Sequence, residues 1–278
     1  EIYQCDWSSD VCSSDLTPMG LLDEHGSDAV RYWAASGRPG TDTAFDVGQM
    51  KIGRRLAIKV LNASKFALSL KATTEGAAGD VSEPLDRAML AQLADVVREA
   101  TAAFEAYNYT KALETTEQFF WQFCDDYVEL VKDRVYDDAN AAGQKSARLA
   151  LGIATETYLK LFAPFLPFVT DEVWSWWQSD SVHTSEWPNA SRLSEVAADA
   201  NAQTMNAVSS IVSQLRKIKS DAQVSMRTEI SSAIISAPAH VIELARTVER
   251  DLLVGTRVHS ATWTESTETS ASGTLVQG

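Results

Sequence analysis

The sequence predicts a mostly α protein, an antiparallel helical bundle with a small C-terminal α/β unit. Three observations carry this. Apolar residues recur at spacings of three and four through residues 46–178, the period of a helix with one buried face. Short breaks rich in Pro, Gly and Asn separate these runs, and helices joined by short loops pack antiparallel. After residue 181 the texture changes, and helical and strand-like stretches alternate. The 278-residue chain, 45% apolar and 22% charged, has ordinary globular composition.

Residues 27–35 suit a short helix capped by Ser27 or Asp28, and "GRPGTD" (37–42) reads as a turn. Residues 46–70 form a strong helix candidate. "KATTEGAAGDVSEP" (71–84) is a loop of small residues, and Pro84 suits the first turn of the next helix, with Ser82 as a cap. That helix runs to about Tyr107, and a long one follows to about Asp137. Leu113, Phe120, Phe123, Tyr127, Leu130 and Val131 mark its buried face. "DDANAAGQK" (137–145) is a loop, and helices follow at about 146–162 and 167–178 around Pro164 and Pro167. In the C-terminal unit a polar helix spans 195–219, a strand 229–237, a helix 238–251 and a second strand 257–263. The Ser/Thr/Gly-rich segment 266–278 is expected to be disordered.

Charge and cysteine usage narrow the function classes. The net charge of −14 argues against a generic nucleic-acid coat but leaves room for a local basic site. No window approaches the ~18 apolar residues of a membrane span. Cys5 and Cys12 sit in the first 16 residues, which lack a signal-peptide pattern. Cys124 stands alone beyond them, which suggests a reducing cytoplasm.

The most informative stretch is "KIGRRLAIKVLNASKF" (51–66). With Lys51 at zero on a helical wheel, Asn62 falls at about 20°, Arg55 at about 40°, Phe66 at about 60° and Lys59 at about 80°. One stripe thus carries cations, an amide and an aromatic ring. Six Lys/Arg and no acid lie between Lys51 and Lys71, in a chain with 38 acids and 24 bases. Cations interleaved with an exposed ring suit a folded single strand of RNA, phosphates on the cations and a base on the ring. The competing reading is a solvated basic face with Phe66 turned into the core.

Other candidates are weaker. His25, His183, His240 and His259 are scattered, with no second ligand at metal spacing. His183 and Glu186 could form a proton-transfer pair, though a histidine that holds a turn explains the same residues. The rings of "FAPFLPFVTDEVWSWW" could stack on bases or fill a core. Asp125-Asp126 and Asp137-Asp138 are either chelators or solvated carboxylates. There is no Gly-rich phosphate loop and no nucleophile elbow.

Several stretches together resemble the valine–tRNA ligase family of class I aminoacyl-tRNA synthetases. They are "TPMGLLDEHGSDAVRYWAASGRPGTDTAFDVGQMKIGRRLAIKVLNASKF", "LDRAMLAQL", "FEAYNYTKALETTEQFFWQFCDDYVELVKDR", "LFAPFLPFVTDEVW" and "SVHTSEWP", in the family's order. The likeness spans roughly 17–265. It implies that 17–45 ends a catalytic domain, that 46–180 is the anticodon-binding bundle and that 181–265 is an appended α/β unit. In the family the preceding segment is a Lys-Met-Ser-Lys-Ser loop. Here "CDWSSDVCSSDL" stands in its place without a lysine, so residues 1–16 read as a non-native segment.

The resemblance further implies tRNA(Val) as partner, and valine and ATP with Mg2+ as substrates of the whole enzyme. The chain itself is expected to hold no catalytic site, metal or cofactor, and to act as a cytoplasmic monomer. Lys59 and Phe66 match family positions at the anticodon, and Lys51, Arg54, Arg55 and Asn62 join them from the helical pattern. The same region of an isoleucine– or leucine–tRNA ligase, and a non-enzymatic helical interaction module, are the alternatives.

Overall fold

The computed structural model describes residues 19–38, 40–41 and 45–276. The segment 1–16 and part of the 37–42 turn, both assigned above, lie outside the described residues. The elements run α1 (Met19–His25), α2 (Ser27–Ser36), α3 (Val47–Ser69), α4 (Pro84–Glu105) and α5 (Tyr109–Gln122). A π-helical turn, Phe123–Tyr127, leads into α6 (Val128–Val135). Then come α7 (Ala141–Phe162), α8 (Pro167–Trp174), α9 (Ala190–Ala197) and α10 (Gln203–Asp221). The chain ends with β1 (Ile230–Ala237), α11 (Ala239–Arg246), α12 (Glu249–Thr256), β2 (Ala261–Glu265) and β3 (Ser270–Leu275).

The helices start where short polar side chains can replace missing backbone partners. Asp46 accepts from Gly48 N at 2.7 Å to open α3, Asn108 opens α5 and Asn140 opens α7. Pro84 and Pro167 occupy first-turn positions of α4 and α8. The bundle buries one continuous core, in which Phe120, Phe123, Tyr127, Tyr158 and Phe162 form a cluster of edge and stacked ring contacts.

Two expected caps act elsewhere. The residue before α2 is Gly26, with no side-chain bond, and Ser27 caps nothing. Asp28 instead reaches across to α8, where its carboxylate accepts from Phe168 N (3.1 Å) and Val169 N (2.8 Å). Burial raises its pKa, and those two backbone bonds oppose the shift. Ser82 does not cap α4 either. The free N–H groups of Ser82 and Glu83 donate to Ser146 Oγ on α7.

The C-terminal unit is a three-stranded sheet of order β2-β1-β3, with β1 parallel to β2 and antiparallel to β3. The helix expected at 195–219 is two helices, parted at Ala198, whose backbone is left-handed (φ 52). The helix expected at 238–251 is likewise split into α11 and α12. The tail expected to be disordered is corrected by β3, which pairs with β1 from Ile230↔Leu275 to Ser236↔Ser270. Its residues are mostly exposed, so an edge strand here is built from polar residues that resemble a disordered tail in composition.

The sheet unit meets the bundle where α12 packs on α6. A Cβ at Gly255 would lie 2.7 Å from Leu130 Cα, so glycine alone permits this approach. Beside it Arg134 is buried between two carboxylates. It donates to both Asp86 oxygens at 2.7 Å, and to Asp251 at 3.1 Å. Asp86 also accepts from Tyr127 OH and Ser146 Oγ, at 2.8 and 2.6 Å. These partners raise the Arg134 pKa in spite of burial, which acts the other way. One cation thereby ties α4, α6 and α12.

Candidate nucleic-acid interface

The roll of α3 decides which side chains face outward. Its inner edge is Met50, Gly53, Leu56, Val60, Ser64 and Ala67, all buried. A Cβ at Gly53 would come within 2.5 Å of Tyr32 Cβ, so α2 rests almost backbone to backbone on α3. Farther along, Ser64 Oγ and Tyr158 OH share a buried hydrogen bond of 2.7 Å. These two contacts fix the helix about its axis, and the opposite side is left to solvent.

On that side Lys51, Arg55 and Asn62 are exposed, while Lys59 and Phe66 are half-buried. Neither Lys51 nor Arg55 meets an acid among the described residues. Lys59 is held more firmly. Its ammonium lies 3.1 Å from Asp125 Oδ1 and 5.6 Å from the centre of the Trp121 ring. Phe66 packs one side on the core, and the Lys132 ammonium sits 5.5 Å from its ring centre. Arg54 departs from the group. Its guanidinium donates to the Glu24 carbonyl at 2.7 Å, and the structure does not bring it together with Lys59 and Phe66.

Lys59, Asn62, Phe66, Cys124, Glu129 and Lys132 line a groove of about 220 Å³. Burial pushes the Cys124 thiol up to about 12, with the Lys59 charge pulling the other way, so this sulfur is not a nucleophile at neutral pH. The π-helical turn supplies the floor. It sets Asp125 toward Lys59, and Asp126 toward Arg216 of α10, which donates at 2.7 Å. Insertions of this kind in α-helices often accompany functional sites.

The sequence reading missed Lys132 and Arg216. Both belong to helices distant in sequence from α3, and only the packing of α5, α6 and α10 brings them near. The weaker candidates resolve into structural roles. His183 Nε2 lies 3.1 Å from the carbonyl of Pro167, the first residue of α8, and ties the 182–184 turn back to that helix. Phe165, Val173 and Trp174 are core residues, whereas Phe168 is exposed. Asp137 faces Arg250 at 3.8 Å. Among the described residues no group of three His, Cys, Asp or Glu is placed to hold a metal, and no helix is long and apolar enough to cross a membrane.

The helical bundle thus carries a groove between α3 and α6 with cations on its walls, and a sheet unit packs on the bundle through α12. Residues 86–235 match the family described as the anticodon-binding domain of tRNA ligase, and this chain belongs to that family. Its relatives are more particular. The valine–tRNA ligase of Thermobifida fusca is 53% identical over 87% of this chain, and that of Salinispora arenicola is 50% identical over 86%. The chain spans about 27% and 30% of their lengths. A solved ternary complex of LeuRS, tRNA and LeuAMS from Agrobacterium radiobacter aligns at a TM-score of 0.49, with 20% identity, over 64% of this chain and 21% of that one.

Proposed function

We propose that this chain is the tRNA-recognition part of a valine–tRNA ligase, and that the outer face of α3 contacts the anticodon arm of tRNA(Val). The observation that carries this reading is the pair Lys51 and Arg55. They are exposed, lack acidic partners among the described residues, and lead along one helix face to Lys59, Asn62 and Phe66. In this reading the cations meet phosphates, and Phe66 offers its ring to a base once the Lys132 ammonium that lies over it turns to a phosphate. Lys59 is the positioned member, held by Asp125 and Trp121 before RNA arrives. Arg54 contributes only by its charge, since its guanidinium is engaged with α1.

The identity to valine–tRNA ligases supports valine over isoleucine or leucine as the amino acid served. The whole enzyme then activates valine with ATP and Mg2+ and esterifies it to tRNA(Val), as a monomer in the cytoplasm. Catalysis belongs to the part of those relatives that this chain does not span. The test is binding of the 278-residue chain to tRNA(Val) and to the same tRNA with an altered anticodon. Preference for the native anticodon is expected, with no valine-dependent ATP–pyrophosphate exchange. Equal binding to both tRNAs ends the anticodon assignment, and exchange activity ends the division of labour.

A further inference from the structure

A second concavity lies where the bundle meets the sheet unit. Its volume is about 730 Å³, and it is walled by α6, α10 and the α12–β2 corner. Lys132, Arg216, Lys219, Arg227 and Arg257 line it, against the acids Glu129 and Asp133. This excess of cations stands out in a chain whose acids outnumber its bases, 38 to 24. Arg227 and Arg257 are exposed and meet no acid among the described residues. Arg216 is partly neutralised by Asp126, and Lys132 lies 3.9 Å from Glu129.

Lys219 is the unusual member. It is buried, and its ammonium donates to the carbonyls of Met226 (3.1 Å) and Thr256 (2.8 Å). An ammonium has three donors, so one remains. Burial lowers its pKa, and the neighbouring charges of Arg257 and Arg216 lower it further. Like charges crowded into a concave, partly dry site repel one another until an anion enters.

The groove is continuous with the α3 face. Glu129 and Lys132 line both concavities, and the Lys132 ammonium that covers Phe66 marks the divide. We propose that this junction groove binds the phosphate backbone of the same RNA strand as it leaves the Phe66 platform. Arg227 and Arg257 are its outer contacts and Lys219 its floor. The inference rests on the RNA-binding reading of α3 and adds a second, separately testable contact, one that engages the sheet unit as well as the bundle.

The experiment titrates labelled tRNA(Val) with the full chain at several salt concentrations. It compares wild type, an Arg227→Ala/Arg257→Ala variant and a Lys51→Ala/Arg55→Ala variant. Two lost phosphate contacts, at ~0.7 released counterions each, should lower the log K against log salt slope by about 1.4 and weaken binding at least tenfold, as an order of magnitude, at 0.1 M salt. Phosphate-ethylation interference should show a group of phosphates that matter to wild type and not to the Arg227/Arg257 variant. Should Arg257→Ala melt early, Arg227→Glu alone carries the test, with a loss of affinity again expected.

Unchanged affinity and slope in the Arg227/Arg257 variant, with a loss in the Lys51/Arg55 variant, overturns the groove and leaves the α3 reading standing. A wild-type chain that binds no tRNA overturns both. Polyglutamate binding as tightly as tRNA, with the same loss in the variant, makes this an acidic-peptide site and overturns the proposal. So does a melting shift with inorganic phosphate that is lost in a variant whose tRNA binding is intact.

Discussion

Arg134 and Arg55 show two opposite uses of the same side chain. Arg134 is buried, spans two carboxylates and has every neighbour it needs within the fold. Arg55 stands in solvent on α3 with no acid beside it among the described residues. The first cation is consumed by the structure, and the second is left for something else. What separates them is the supply of acids. An acidic chain can neutralise its cations easily, so a face without acids is the informative one.

The comparison breaks first at Arg134. Arg134→Met leaves Asp86 and Asp251 buried without their counterion and should cost roughly 3–5 kcal/mol in urea or thermal unfolding. RNA affinity of the protein that remains folded should not change. A small stability effect with weakened RNA binding would invert the contrast. Part of the loss should be recoverable by removing the acids with it, because a replaced buried ion pair is often neutral. Asp251 points the same way, since burial holds its pKa above the usual carboxylate value even beside Arg134.

Phe66 sharpens the comparison at intermediate size. Phe66→Ala should weaken tRNA binding by roughly 1–3 kcal/mol and leave the salt slope unaltered, because a stacking surface is lost and no charge. Its ring is half-buried, so the stability cost should fall below the ~3–5 kcal/mol of a fully buried ring. Early melting with unaltered affinity in the folded fraction would make Phe66 a core residue only.

Lys51→Ala and Arg55→Ala should behave as the mirror image of Arg134→Met. Stability should stay within about 0.5 kcal/mol of wild type. The salt slope should fall by somewhat less than one unit per residue. A drop in melting temperature would mean that these cations serve the fold. The smallest effect concerns Cys124. Buried, and with its pKa raised to about 12, it should resist iodoacetamide at neutral pH until the chain unfolds. Peptide mapping reads Cys124 apart from Cys5 and Cys12, and rapid native labelling would mean that the groove opens to the core.

What the sequence made legible follows from the range of each interaction. The long helices and their buried faces are local patterns, and Leu113, Phe120, Phe123, Tyr127, Leu130 and Val131 are all buried as their spacing predicts. The stripe on α3 was visible for the same reason, but Arg54 was wrongly counted with it, since its guanidinium turns to the Glu24 carbonyl of α1. The Asp86–Arg134–Asp251 network was not visible, because its members are 48 and 117 residues apart. Asp28 misled because a residue that can cap its own helix can also cap another. The strand β3 was hidden because an exposed edge shows no apolar face. Lys132, Arg216 and Arg257 come together only through tertiary packing, so the junction groove left no trace in any single segment.

The π-helical turn at Phe123–Tyr127 amounts to one extra residue threaded into an otherwise continuous helix from Tyr109 to Val135. Such an insertion acts as a phase shift. Every side chain after it sits about 100° and about 1.5 Å behind the place an unbroken α-helix would give it. Phe120 and Arg134, 14 positions apart, would fall within about 40° of each other on an unbroken α-helix. The extra residue parts them, so that Phe120 meets Tyr158 and Phe162 of α7 while Arg134 meets Asp86 and Asp251. Deleting a single residue from this turn should restore regular hydrogen bonding and keep α6 in phase, and what it would lose is the offset that sets Asp125 toward Lys59 and Asp126 toward Arg216. Deleting a residue anywhere else between Tyr109 and Val135 would instead turn every later side chain by about 100°.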